Sequence, residues 1–375
     1  MDTQTIYLDH NATTPVDPAV IDAMLPYLRE HFGNPSSSHA SGRAARAGVD
    51  EARQQVAALL GADASEIVFT SGGTESNNLA IRGVCSANPR GRHVVSTIVE
   101  HPAVREPINA LLAEGWTADT VGVDSSGRVD AEDLLRRVRA DTTLITVMHA
   151  NNEVGTLQPI ASIAAGSGDV PVHTDAAQSI GKLPVDVNAL GVDLLTIAGH
   201  KLYAPKGVGA LYIRRGTPLS PFARGAGHEG GIRPGTENVA SIVGLGEACR
   251  LARVGLEAER VRVETLRDRF WVLLQEGVPG VLLNGHASQR LPNTLNVRFP
   301  DTLGSAVLAG AEIVAASTGS ACHEHGETAS AVLLAMGIPS SQALGAVRLS
   351  LGHSTKAIDV ERAAAALVQS WRRLR

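Results

Sequence analysis

Two strand-like runs of the sequence end in residues that can bind an anion or a ring nitrogen. The apolar run 67–70 leads into Ser-Gly-Gly-Thr-Glu at 71–75, a turn that would open a helix. Such a turn presents backbone N–H groups at the positive end of the helix dipole, so a phosphate can bind at Gly73 and Thr74. Glycines also serve the geometry of a plain strand-to-helix loop, and the segment alone supports both interpretations. A later run, 172–175, ends in Asp175. A carboxylate at a strand end can hold a protonated pyridine nitrogen, or it can simply cap a helix.

A lysine and a cysteine supply the candidate nucleophiles. Lys201 follows the apolar run 194–198, and desolvation beside apolar surface makes a lysine amine nucleophilic. Most lysines are solvated surface, and His200 beside it is compatible with an ordinary polar contact. Cys322 lies among small residues and next to histidines in Ser-Thr-Gly-Ser-Ala-Cys-His-Glu-His-Gly, 317–326, where a thiol can ionise. The Cys-His spacing is too tight for the usual zinc arrangements, so we expect no metal.

The elements that would position these residues follow from hydrophobic patterning. Six apolar, β-branched runs have the length of strands: 66–70, 93–97, 143–148, 170–175, 192–197 and 208–213. Helical spacing appears between them, as at 43–60 and 131–140. Alternation of this kind predicts an α/β fold with a mostly parallel sheet covered by helices. A long amphipathic helix over 247–274, a Pro-Gly turn and a strand over 294–298 indicate a second lobe, as expected for 375 residues.

Composition excludes several classes of protein. A formal net charge of -5 gives no global attraction to nucleic acid or to an anionic membrane. Three widely separated cysteines argue against a disulfide framework, and Cys85 and Cys249, in helical stretches, are expected to be buried packing residues. The polar first residues lack a signal-peptide pattern, and no apolar run approaches the ~20 residues that cross a bilayer. We therefore expect a cytoplasmic protein.

The order of glycine turn, aspartate, lysine and late cysteine resembles the cysteine desulfurases of the nitrogen-fixation and iron–sulfur-cluster type, and the related selenocysteine lyases. The similarity covers nearly the whole chain, including Tyr-Leu-Asp-His-Asn-Ala-Thr-Thr-Pro at 7–15, Gly-Asn-Pro-Ser-Ser at 33–37 and Ala-Val-Arg-Leu-Ser-Leu-Gly at 346–352. The resemblance implies a pyridoxal 5'-phosphate (PLP) dependent transferase of fold type I, with class-V aminotransferase architecture and a mostly parallel seven-stranded sheet. It implies a large PLP-binding domain over residues 15–250. A smaller α+β domain, made of 1–14 and 251–375, would carry the catalytic cysteine loop, and the protein would be a homodimer.

The same resemblance assigns the cofactor contacts. Lys201 would form the Schiff base, Asp175 would pair with the ring nitrogen, and His101 would stack on the ring as a catalytic residue. Gln178 would contact the phenolic oxygen, and Asn152 is a further cofactor contact. The phosphate would be bound by Gly73, Thr74 and His200, and by Thr236 reaching across from a second subunit.

The substrate contacts and the reaction also follow from the resemblance. Asn152 and Arg348 would bind the substrate carboxylate, a task suited to the guanidinium of Arg348, and Asn11 would be a further substrate contact. The implied reaction converts L-cysteine to L-alanine and leaves the sulfur on Cys322 as a persulfide for an acceptor protein. Selenocysteine lyase, an aminotransferase that would not need Cys322, and a non-catalytic sulfur-relay scaffold are the alternatives. The pathway served, whether iron–sulfur cluster assembly, thiolation of tRNA or DNA, or cofactor synthesis, is not encoded in any motif.

One residue departs from the family pattern. Many desulfurases have a serine two residues before the histidine that precedes the lysine, where this chain has Ala198. We expect one hydrogen bond to the phosphate to be missing, at a cost on the order of 1.5–3 kcal/mol if nothing replaces it.

Overall fold

The computed structural model describes residues 5–87, 90–318, 322–323 and 326–375, with the backbone alone at 322–323 and 326–327. The strands are β1 Ile6–Tyr7, β2 Ile67–Thr70, β3 His93–Thr97, β4 Thr117–Val121, β5 Thr142–Thr146, β6 Val172–Asp175, β7 Leu194–Ala198, β8 Gly209–Ile213, β9 Leu282–Asn284, β10 Thr294–Arg298, β11 Val314–Ala315, β12 Cys322–His323, β13 Gly326–Glu327 and β14 Ala346–Ser350. The helices are α1 Pro18–Arg29, α2 Ala40–Leu60, α3 Gly73–Ala87, α4 Pro102–Ala113, α5 Ala131–Arg136, α6 Ile160–Gly166, α7 Val187–Leu190, α8 Val239–Gly277, α9 Gly304–Ala309, α10 Ala331–Ala335, α11 Ser340–Ala343 and α12 Ala357–Arg373.

A seven-stranded sheet in the order β2-β8-β7-β6-β5-β3-β4 forms the centre of the larger unit. Strands β3 to β7 run parallel to one another, whereas β8 is antiparallel to both of its neighbours, β2 and β7. Every residue of β2, β3 and β5 to β8 is buried, as expected where helices cover both faces. The expectation of a mostly parallel, seven-stranded α/β sheet is therefore confirmed.

Two apolar layers fill the space between this sheet and its helices. One face packs against the buried stripe of α2, which includes Val49, Val56 and Leu60, and against the first turns of α8. The other face packs against α3 and α4 through residues such as Leu79 and Ile108. Both faces are thus closed, which leaves the carboxyl ends of the parallel strands as the open edge.

A smaller sheet, β14-β10-β9, is antiparallel and has its own core. Phe270 and Leu274 of α8 and Leu367 of α12 pack against it. The chain's first segment belongs to the same region, because β1 pairs with β11 and Asp9 bridges Ser350 of β14. Helix α8 runs through both cores, so the boundary predicted at residue 250 falls inside one continuous helix. The division into two domains stays a prediction.

Some elements differ from the sequence expectations. Strand β4 was absent from the six predicted runs, since its Thr-Ala-Asp-Thr-Val sequence is that of a partly exposed edge strand. The helix expected over 131–140 ends at Arg136, and α8 begins eight residues before the predicted 247. In the described part of the chain, none of the helices combines the length and apolar character needed to span a membrane.

Candidate active site

A cleft at the carboxyl ends of the parallel strands gathers most of the predicted cofactor residues. It encloses about 480 Å³ of empty space, part of it open to solvent. Eight of the nine predicted cofactor-binding residues line it: Gly73, Thr74, His101, Asn152, Asp175, Gln178, His200 and Lys201. Residues from five separate loops therefore meet at the position where ligands bind in open α/β sheets.

Asp175 is the last residue of strand β6, and its carboxylate accepts two hydrogen bonds. The side-chain amide of Asn77, on α3, donates to one carboxylate oxygen at 2.8 Å, and the backbone N–H of Ala177 donates to the other at 2.9 Å. Asp175 is 7% exposed, so both hydrogen bonds lie where water has little access. The two donors therefore fix the orientation of the carboxylate towards the cleft.

The glycine turn between β2 and α3 lies on one side of the same cleft. Gly72 has a φ of 145°, which a residue with a side chain rarely adopts, and Gly73 begins the helix. A Cβ at Gly73 would lie 3.2 Å from the Cβ of Ala198, so the residue that departs from the family pattern directly faces this turn. The N–H groups of the first helical turn have no partners within the helix and can bind a phosphate.

Lys201 ends a short 3₁₀ turn, Gly199–Lys201, directly after β7. Burial lowers the pKa of its amine, the charge of Asp175 opposes that shift, and Arg348 adds to it. An amine with a lowered pKa is in its neutral, nucleophilic form more often than a solvated lysine. Lys201 also borders a second, smaller cleft, so its side chain separates two cavities.

Two histidines in the cleft are held neutral. His101 is the N-cap of α4, where its Nδ1 accepts from the N–H of Ala103 at 3.1 Å. Burial, together with the charge of Lys201, lowers the pKa of His101. The pKa of His200 falls to about 4 for the same two reasons, and its Nδ1 lies 3.1 Å from the hydroxyl of Thr13. Both rings are therefore uncharged near neutral pH and can act as stacking or hydrogen-bonding groups.

Arg348 lies on β14 and faces the parallel sheet from the smaller unit. One of its terminal nitrogens forms an ion pair with Asp9 at 2.6 Å, and the other donates to the backbone carbonyl of Asn152 at 3.1 Å. Its Nε is buried and, among the described residues, has no hydrogen-bond partner. The side-chain amide of Asn11 also donates to the Asn152 carbonyl, at 3.3 Å. The three predicted substrate residues are thus brought together.

Gln178 and Asn11 are both oriented by a lysine that the sequence analysis did not single out. The amine of Lys182 donates to Oε1 of Gln178 at 3.1 Å and to Oδ1 of Asn11 at 3.3 Å. The Nε2 of Gln178 donates to the backbone carbonyl of Asn11 at 3.0 Å. Both amides therefore turn their oxygens towards Lys182.

Two predicted site residues are not among those that line the cleft. Thr236 is exposed in the loop before α8. Cys322 begins the short strand β12, which pairs with β13, and its side chain lies outside the described residues. The position of its sulfur relative to Lys201 is therefore a matter for experiment.

Asn77, Lys182 and Asp9 are the site residues that sequence reasoning missed. Signals for them were present: Asn77 lies one helical turn after Gly73, Lys182 lies four residues after Gln178, and Asp9 lies two before Asn11. A local signal of this kind does not say which distant residue each side chain will contact. Asn77 and Asp175, for example, are 98 residues apart in the sequence.

Comparison with known proteins identifies the class first. The family model described as "Aminotransferase class-V" matches residues 6–363 of this chain. That family consists of PLP-dependent enzymes, which agrees with a lysine and an aspartate meeting at the carboxyl edge of a mostly parallel sheet.

Comparison with individual relatives shows which members of this class the chain resembles. The chain is 46% identical over 357 residues to "Cysteine desulfurase IscS" of Dictyoglomus turgidum, covering 94% of this chain and 91% of the relative. It is 43% identical to the mouse "Cysteine desulfurase", over 99% of this chain and 82% of the relative. The solved structure "NIFS-LIKE PROTEIN" superimposes with a TM-score of 0.91 at 37% identity, over 98% of this chain and 99% of that one. The structure "SspA in complex with cysteine" gives 0.83 at 36% identity, over 92% and 99%. This chain belongs to the cysteine desulfurase family of class-V aminotransferases.

Proposed function

We propose that this protein is a PLP-dependent cysteine desulfurase that converts L-cysteine to L-alanine and carries the sulfur on Cys322 as a persulfide for an acceptor protein. The observation that carries the proposal is the meeting of Lys201 and Asp175 in one cleft beside Arg348. Family membership, and a relative whose structure is titled as a complex with cysteine, support the choice of substrate.

The residues of the cleft fit a flat, phosphorylated pyridine. Asp175 offers a carboxylate for the ring nitrogen, Lys201 offers an amine for the aldehyde, and the start of α3 at Gly73 and Thr74 offers N–H groups for the phosphate. His101 and Gln178 are the neutral groups for the ring face and the phenolic oxygen. When bound, PLP supplies an electron sink for the substrate's Cα.

The chain's own groups bind and orient the substrate. Arg348 and Asn11 would bind the substrate carboxylate, and its Cα would then face the amine of Lys201. Because burial lowers the pKa of Lys201, this amine can take up the Cα proton and later return a proton to the carbon skeleton. The hydrogen bond from Asn77 keeps the carboxylate of Asp175 in place.

The sulfur step depends on Cys322. Its thiolate attacks the substrate sulfur, so that an S–S bond forms while the substrate's Cβ–S bond breaks. The carbon skeleton gains a proton and leaves as L-alanine, and L-cysteine plus the enzyme thiol thereby become L-alanine plus the enzyme persulfide. Cys85 and Cys249 are buried free thiols whose pKa values burial raises, to about 12 for Cys85. They are therefore poor candidates for the same attack.

The proposal includes a homodimer in which Thr236 of one subunit contacts the phosphate in the other. In favour of this, Thr236 is exposed and is not among the described residues that line the cleft of its own chain. A cytoplasmic location is proposed because a persulfide-carrying thiol and free cysteines suit a reducing compartment.

The test is to incubate the purified protein with L-cysteine and, separately, with L-selenocysteine. Alanine, sulfide or selenide, persulfide and the cofactor absorbance are followed, and Cys322→Ala is assayed in parallel. Alanine and a persulfide from L-cysteine, with the persulfide lost in the variant, support the proposal. Consumption of selenocysteine alone would make the protein a selenocysteine lyase, and a colourless protein inactive on both would be the relay scaffold.

A further inference from the structure

When it is protonated, the amine of Lys182 is a cation with no anion beside it among the described residues. It donates to the side-chain oxygens of Gln178 and Asn11, and both of these groups are neutral. In the parts of the chain that the structure describes, no carboxylate forms an ion pair with this lysine. A buried charge without a counter-ion is costly, so proteins retain one chiefly where a ligand completes it.

The surroundings of Lys182 are positively charged. Burial and the nearby charges of Lys201 and Arg348 lower the pKa of its amine to about 7. Glu259 borders the same small cleft, but its carboxylate is bound by both donors of the Arg262 fork at 2.7 Å. Glu259, the acidic side chain among the described residues that line this cleft, is thus already paired with Arg262.

Arg348, in contrast, already forms an ion pair with a carboxylate, that of Asp9. Its pair with Asp9, at 2.6 Å, leaves the two side chains together with no net charge. A substrate carboxylate that approaches Arg348 therefore also meets the negative charge of Asp9. The pair offers hydrogen bonds, but little net electrostatic attraction.

Lys182 is joined to this pair through a short chain of contacts. Asn11 accepts from Lys182 through its oxygen and donates through its nitrogen to the carbonyl of Asn152. Arg348 donates to that same carbonyl. The uncompensated cation and the hydrogen-bonding guanidinium thus lie on either side of Asn11, one of the predicted substrate residues.

We propose that Lys182 is a specificity-determining residue for the carboxylate of the amino-acid substrate, supplying the net positive charge that the Asp9-neutralised Arg348 lacks. This inference rests on the proposed function for the identity of the substrate. It adds a second cation to the carboxylate site and gives Lys182 a role separate from the Schiff-base lysine, Lys201.

The test uses three variants of the holoenzyme. Lys182→Gln keeps a hydrogen-bond donor for the two amide oxygens and removes the charge, whereas Lys182→Arg keeps the charge. Lys356→Gln is the matched control, because Lys356 is exposed at the start of α12. Dissociation constants of L-alanine and of L-alaninamide are measured by calorimetry, and kcat and KM for L-cysteine are measured separately.

We expect Lys182→Gln to weaken L-alanine binding about tenfold and to raise KM for L-cysteine by the same factor. A tenfold change is at the lower end of the effect expected when a charge-assisted contact is lost. L-Alaninamide, which has no carboxylate, should bind as before. Lys182→Arg should restore binding to within about threefold of the parent, and Lys356→Gln should match the parent.

Equal losses for L-alanine and L-alaninamide in Lys182→Gln would show a general disturbance of the site and overturn the inference. Unchanged L-alanine binding in that variant would overturn it as well. Failure of the proposed function is distinguishable, because the parent protein would then not turn over L-cysteine while the calorimetric comparison would still be made.

Discussion

The hydrogen bond from Asn77 to Asp175 can be tested by replacing Asn77 with alanine. The substitution removes one of the two donors of a carboxylate that is 7% exposed, and water has little access to replace it. Asp175 is the group proposed to face the ring nitrogen of PLP. The bound cofactor should therefore be destabilised through its partner, without any direct contact being deleted.

The size of the effect follows from the geometry. A hydrogen bond to a charged group contributes about 1.5–3 kcal/mol, and the bond here is 2.8 Å long between two buried side chains. Because Ala177 still donates to the other oxygen, we use the lower end of this free-energy range. About 1.5 kcal/mol corresponds to a rise of roughly tenfold in the dissociation constant of PLP.

The assay is a titration of apoprotein with PLP, followed by absorbance of the lysine-bound cofactor. Asn78→Ala is the matched control, since Asn78 is the next residue on α3 and its amide bonds only to the carbonyl of Thr74 among the contacts described for it. Thermal unfolding of the apoproteins shows whether the fold survives. PLP affinity in Asn77→Ala within twofold of the control would refute the view that Asn77 orients Asp175 for the cofactor.

Further substitutions test other contacts of the site and the fold. Ala198→Ser should restore a phosphate hydrogen bond beside Gly73 and tighten PLP binding by about tenfold in the same titration. Asp9→Asn should leave Arg348 with its full charge and lower KM for L-cysteine several-fold, and an unchanged KM would count against charge neutralisation by Asp9. Gly181→Ala should lower the free energy of unfolding by more than about 1 kcal/mol in urea, because φ is 73° and the new Cβ would overlap Leu202. Burial lowers the pKa of His149 to about 4, so from pH 6.5 down to 4 the unfolded chain binds a proton that the folded chain does not. Stability should therefore fall across that window, by up to about 3 kcal/mol from this group, and urea unfolding of a His149→Asn variant should show a shallower fall.

The sequence predicted the elements whose residues face a core. Strand β7 is mainly apolar because helices cover both of its faces, and β6, although it contains His173, Thr174 and Asp175, is buried along its whole length. The bounds of both strands agree with prediction to within two residues. Strand β4 failed this criterion because an edge strand pairs on one side only and tolerates polar residues. The early start of α8 was missed because small residues such as Gly244 and Gly246 weaken the helical signal, whereas packing against Met24 and Ala52 requires them there.

The residues of the candidate site also fall into two groups, those that could be predicted from the sequence and those that could not. Asp175, His200 and Lys201 could be proposed from sequence because each follows a recognisable strand, and family resemblance supplied the others. The partners Asn77, Lys182 and Asp9 could not, because their roles arise from contacts between distant segments. Nothing in the pattern around Arg348 indicates that Asp9 occupies one side of its guanidinium, 339 residues away.

The place of the first segment in the fold has a consequence for the order of synthesis. The backbone N–H of Asn11 donates to the hydroxyl of Ser350 at 2.9 Å, and the amide of Asn11 donates to Thr294 at 2.8 Å. A ribosome must therefore add 283 further residues before Asn11 can meet Thr294, and 339 before it can meet Ser350. Until then Ile6 and Leu8, both buried in the complete fold, lack the apolar residues against which they pack. The part of the site proposed to bind the substrate carboxylate is therefore assembled last, because a nascent chain halted before β14 would lack Arg348.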